Sequence, residues 1–116
     1  MGELLDLQDT FSALLARLID YVHNQEGYKV TIGEVWRSDE TAELMEKKGK
    51  GIAKSVHRKR LAADVNLFKD DVYLTKSEDY EWLGMYWEGL HPQARWGGKF
   101  SNPDGNHFSI EYQGVR

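Results

Sequence analysis

The chain has 116 residues, 41% hydrophobic and 29% charged, with four Trp, six Tyr and four Phe. This material suits one compact domain over residues 1–116 and argues against disorder. There is no cysteine, so disulfides and thiolate metal sites are excluded and a transition metal would need His and carboxylate donors. The formal net charge of −4 conceals a basic stripe of Lys47, Lys48, Lys50, Lys54, Arg58, Lys59 and Arg60. Such a stripe suits an enzyme that approaches an anionic polymer, a nucleic-acid surface or, most simply, a solvated loop.

The opening residues, MGELLDLQDTF, lack the basic start, apolar run and small-residue cleavage site of a secretory signal. No stretch is long and apolar enough to cross a bilayer. The expectation is a soluble monomer made in the cytoplasm, delivered by another route if its target lies outside.

Phe11, Leu14, Leu15, Leu18, Ile19 and Val22 fall on one stripe of a first helix, which Gly27 stops. Tyr28, Val30 and Ile32 then alternate with Lys29, Thr31 and Gly33, the period of a half-buried strand. Ser38 caps a short helix from Asp39 to about Lys47, ended by Gly49 and Gly51. Leu61 to Phe68 reads as a central strand, with Asp64 and Asn66 on one face. After a turn at 69–71, residues 72–74 form a paired strand. Thr75 and Glu78 make a capping box for a third helix carrying Tyr80, Leu83 and Trp87, closed by His91-Pro92. Trp96-Gly97-Gly98 reads as a loop, 102–105 as a turn, and His107 to Tyr112 as a last strand. The predicted fold class is α+β, a small antiparallel sheet packed with about three helices.

Asp64 and His107 lie on the polar faces of their strands. Were the strands neighbours, the two side chains would meet one Zn²⁺ at about 2.0–2.2 Å. His57, seven residues before Asp64, would join them if a short loop bent back. Three protein ligands leave a fourth position for water, and a carboxylate at Asp104, three residues before His107, would reach that water without ligating the ion. The plainer alternatives are a surface histidine at 57, a half-buried one at 107, and a turn residue at 104. Asp64 amid Ala, Val and Leu is harder to leave unpartnered. Arg37 has ion-pair partners within reach in Glu34 and Asp39, and Trp96 either lines a groove or packs in the core. His23 and His91 suit helix C-termini and receive no catalytic role; Trp82, Tyr86 and Trp87 are assigned to the core.

The segment Ser55-Val56-His57-Arg58-Lys59-Arg60-Leu61-Ala62-Ala63-Asp64 resembles the S-x-H-x-x-G-x-A-x-D motif of the M15 family of zinc D-Ala-D-Ala carboxypeptidases and L-alanyl-D-glutamate endopeptidases. Trp96-Gly97-Gly98 followed by Asp104-Gly105-Asn106-His107-Phe108 resembles that family's W-G-G and (D/E)-x-x-H-F motif, and Trp36-Arg37-Ser38 its upstream arginine motif. The match keeps three motifs in order over nearly the whole chain and is closest to the compact phage branch. It implies a Hedgehog/DD-peptidase-like fold, one zinc per chain on His57, Asp64 and His107, and Asp104 as general base. It also implies that Arg37 binds substrate or the oxyanion and that Ser55 supports the substrate site. Arg60 stands where many members have Gly, and Ser109 where many have Glu; neither change removes a ligand or the base.

The function so implied is a peptidoglycan peptidase, foremost an L-alanyl-D-glutamate endopeptidase of the phage endolysin type acting in host lysis after release from the cytoplasm. A D,D-carboxypeptidase is the nearest alternative. A non-catalytic wall-binding or virion component with structural zinc is one of another class. A His/Asp metallonuclease using the basic stripe is the third, but no nucleic-acid partner is expected.

Overall fold

The computed structural model describes residues 2–48 and 56–116. Ser55, the glycines at 49 and 51, and Lys50 and Lys54 of the basic stripe lie outside the described residues.

Helix α1 (Glu3–His23) buries Phe11, Leu14, Leu18 and Val22, the centre of the predicted stripe, while Leu15 and Ile19 flank it half-buried. Each fully buried aliphatic or aromatic side chain contributes about 1.5–3 kcal/mol relative to exposure. Strand β1 (Tyr28–Ile32) follows, then α2 (Asp39–Lys47), whose cap is the predicted one, since Ser38 Oγ accepts from the Thr41 N–H. Strand β2 (Ala62–Lys69) turns through Asp70 and Asp71, both at positive φ, into β3 (Val72–Tyr73). Two such residues in succession make the hairpin turn whose twist matches the strands. Helix α3 (Glu81–Glu88), β4 (Ala94–Trp96) and β5 (His107–Ile110) complete the described elements.

The sheet is antiparallel throughout, ordered β1-β2-β5-β4, with β3 hydrogen-bonded to the end of β2. Among the described residues it has five strands against three α-helices, the predicted α+β class. β2 is central, and Ala63, Val65 and Leu67 point from it into the core with no exposed area. Phe11, Trp87 and Phe108 meet edge-on there, at ring separations of 5.7 and 6.1 Å. Tyr80 ties helix to hairpin, because its hydroxyl accepts from the Leu67 N–H and donates to the Leu74 carbonyl.

Four expectations are corrected. The Thr75–Glu78 capping box does not form: α3 is entered through a 3₁₀ turn, Ser77–Tyr80, without a side-chain cap, and Ser77 Oγ instead accepts from the Gly105 N–H. α3 also ends at Glu88, short of His91-Pro92. The segment around Trp96-Gly97-Gly98 is strand β4 followed by a 3₁₀ turn, because residues 94–96 pair with Ile110 to Phe108. Finally, β5 stops at Ile110 and is buried on both faces, since β4 covers one edge and the turns carrying His57 and Phe100 lie against His107. Ile32 is 49% exposed despite its alternation, as β1 is an edge strand whose end leaves the core.

Candidate metal centre

The β2–β5 register pairs Asp64 directly with His107. Their side chains therefore emerge together on the sheet face away from the main core, as the alternation of both strands requires. His57 reaches them because the chain folds back over that face. A 3₁₀ turn (Val56–Lys59) is anchored by buried Val56 and closed by the bonds Arg60 N–H to the His57 carbonyl and Leu61 N–H to the Val56 carbonyl. Arg60 completes the reversal at φ 58°, a left-handed conformation that costs a non-glycine residue roughly 1–2 kcal/mol. Its guanidinium lies over the Trp36 ring, 4.7 Å from the centroid.

His57 Nε2 lies 3.4 Å and His107 Nδ1 3.5 Å from the same oxygen, Asp64 Oδ1. Both histidines are at least 95% buried, and one donor atom from each of the three residues lies within 4.8 Å of the other two. Asp64 Oδ1 is itself buried and takes no hydrogen bond among the described residues. Burial pushes the Asp64 carboxyl up, but polar contact with His107 and His57 outweighs it and holds the group at about 2. A half-buried carboxylate whose buried oxygen faces two imidazole nitrogens is a donor set suited to a cation. Donors each about 2.0–2.2 Å from one tetrahedral ion stand about 3.3–3.6 Å apart. The two His–Asp separations fall in that interval and all three donor atoms lie within 4.8 Å of one another, so the group could hold one metal ion.

Asp104 sits on an exposed turn fixed by two bonds: its N–H to the Gly97 carbonyl, and the His107 N–H to its own carbonyl. The close approach explains the glycine. A Cβ on Gly97 would stand 2.1 Å from the Asp104 carbonyl oxygen and 2.8 Å from His107 Cβ. Desolvation raises the Asp104 carboxyl above its ordinary value; His107 opposes this, Asp64 adds to it, and His57 and Arg37 oppose it. The carboxylate is therefore within electrostatic reach of all four groups. A polar cavity of about 190 Å³, lined by Tyr73, Thr75, Ser77 and Asn106 among others, opens against it.

Arg37 is brought to the same place, with a side chain only 9% exposed. Its Nε donates to Glu34 Oε1 at 2.9 Å and its Nη2 contacts the same oxygen, leaving Nη1 as the nitrogen Glu34 does not engage. Glu34 Oε1 also lies 3.7 Å from His57 Nδ1. Sequence reasoning had Glu34 only as a partner for Arg37, three residues away. Its proximity to His57 depends on the 3₁₀ turn and has no sequence signal. Asp39 pairs instead with Arg58 at 2.8 Å.

Trp96 takes the core alternative. It is 4% exposed, its indole N–H donates to the Gly105 carbonyl, and its ring packs where a Cβ on Gly84 or Gly98 would intrude. A methyl group at either position would overpack the site, a change that costs about 1–3 kcal/mol. Ser109, the second departure from the motif, is fully buried opposite Ala62, and Glu111 pairs with Arg95.

Among solved structures, the chain resembles the crystal structure of the Serratia marcescens L-Ala D-Glu endopeptidase ChiX. The TM-score is 0.74, over 90% of this chain and 80% of that one, at 18% sequence identity. No protein-family model and no curated protein sequence matches the chain. At that identity the likeness establishes architecture alone: the chain shares a small α+β fold with that protein. On that fold His57, Asp64 and His107 form a buried group able to hold one metal ion.

Proposed function

We propose that the chain is a zinc-dependent peptidase of the M15 type that hydrolyses the stem peptides of bacterial peptidoglycan at the L-alanyl-D-glutamate bond. The observation that carries this reading is the approach of two buried histidines to one Asp64 oxygen, on a fold shared with an L-Ala D-Glu endopeptidase. His57, Asp64 and His107 are the ligands. When bound, zinc supplies a Lewis acid that polarises a peptide carbonyl and brings the pKa of a water near 7. The Asp104 carboxylate would accept the proton of a water as its oxygen bonds to the peptide carbon, and would pass that proton to the amine as the C–N bond breaks. Arg37 would offer Nη1, the nitrogen Glu34 does not engage, to the carbonyl oxygen where negative charge develops. Ser55 and the polar cavity beside Asp104 serve substrate binding, while Trp96 supports the turn from behind. The protein acts as a monomer on the cell wall, after release from a host cytoplasm, in the manner of a phage endolysin. No described helix is long and apolar enough to span a membrane.

Mass spectrometry of fragments released from purified peptidoglycan tests the reaction. New glutamate amino termini and alanine carboxyl termini are expected, abolished by a chelator and restored by zinc. Release of D-alanine alone would make the protein a D,D-carboxypeptidase. Intact wall after zinc loading would leave a binding component.

A further inference from the structure

We infer that Glu34 is a positioning residue for the metal centre, fixing His57 in the tautomer that leaves Nε2 free for the ion. The inference rests on the metal reading above. The backbone comes first: the Gly33 N–H donates to the Asp64 carbonyl at 2.7 Å, and the Asp64 N–H donates to the Glu34 carbonyl at 2.8 Å. β1 pairing thus continues past Ile32 and pins Glu34 to the main chain of a ligand residue. From that anchor the side chain reaches Arg37 and His57 with one oxygen, Oε1. The Arg37 N–H closes the circuit on the His57 carbonyl at 3.2 Å.

The two nitrogens of His57 face carboxylates on opposite sides. Nε2 is 3.4 Å from Asp64, on the ligand side, and Nδ1 is 3.7 Å from Glu34, on the other. A metal-binding imidazole must be neutral, with one nitrogen protonated and the other donating its lone pair. A carboxylate on the outer side selects the proton position and holds the ring plane. Glu34 occupies that outer position, while its second contact neutralises a guanidinium only 9% exposed. At 3.7 Å the approach to His57 Nδ1 is electrostatic rather than a hydrogen bond, so one side chain biases a ligand while it hydrogen-bonds Arg37.

Zinc affinity of the full chain, by competition with a chromophoric chelator, tests this without recourse to activity. Glu34→Gln keeps the shape and removes the charge; its affinity is expected to fall about 10- to 100-fold, the effect typical of an outer carboxylate. Glu34→Asp should recover part of it. Because Glu34→Gln also leaves buried Arg37 without its partner, Glu34→Gln/Arg37→Gln is measured beside it to separate that effect on the fold. That double variant should regain the melting temperature while its zinc affinity stays low. Wild-type affinity in Glu34→Gln, or full recovery in the double variant, would reduce Glu34 to a counter-ion for Arg37. Imidazole ¹⁵N spectra of the zinc-loaded, unaltered chain give a check that needs no variant: His57 should carry its proton on Nδ1, and a proton on Nε2 would overturn the inference. If the unaltered chain binds no zinc at all, the metal reading fails first, and this one with it.

Discussion

Asp104→Asn is expected to keep its fold and its zinc and to lose about 100- to 10,000-fold in the release of wall peptides, the usual effect of removing a general base. The turn holding Asp104 is made by main-chain bonds to Gly97 and His107, which an amide side chain leaves intact. The substitution therefore removes proton acceptance and little else. Its carboxylate feels the charges of His107, Asp64 and His57 but stands outside the set of three donors. With zinc still bound, the rate should fall on acidification as Asp104 takes a proton. Undiminished turnover in the variant would remove Asp104 from the mechanism, and loss of zinc would make it a ligand.

His107→Ala is expected to lose about one equivalent of zinc per chain and all detectable peptide release. His107 is 95% buried, and its Nδ1 faces Asp64 across a strand pair that the substitution does not break. Two donors remain, too few to hold the ion in competition with solvent. Thermal melts read the same loss through linkage. Zinc at 100 times its dissociation constant should stabilise the unaltered chain by about 2.7 kcal/mol and His107→Ala by almost nothing. Equal zinc content in the two proteins would sink the ligand assignment.

The residues differ in how legible they were from sequence. Asp64 and His107 were readable as a facing pair because strand alternation has a period of two and both strands carry one polar ligand type in an apolar run. The short cap at Ser38 and the Asp70-Asp71 hairpin were readable for the same local reason: their chemistry lies within a few consecutive residues. The capping box at Thr75 had the right letters but lost to a tertiary demand, since Ser77 is used to hold Gly105. β4 was missed because three residues ending in Trp-Gly-Gly carry no alternation; pairing with β5 makes them a strand. Glu34 was undervalued because its approach to His57 is set by the fold-back at residues 56–60, a three-dimensional fact without periodicity. Arg60 shows the converse. The motif's glycine position was recognisable, and the structure gives its reason in the positive φ that this chain meets with arginine.

X-ray absorption at the zinc edge, on the zinc-loaded full chain after dialysis, tests the central claim most directly. One zinc is expected, bound by two imidazole nitrogens and a carboxylate oxygen at about 2.0–2.2 Å, with a further light-atom position for water. A zinc-free chain, or a coordination shell without imidazole, would contradict it.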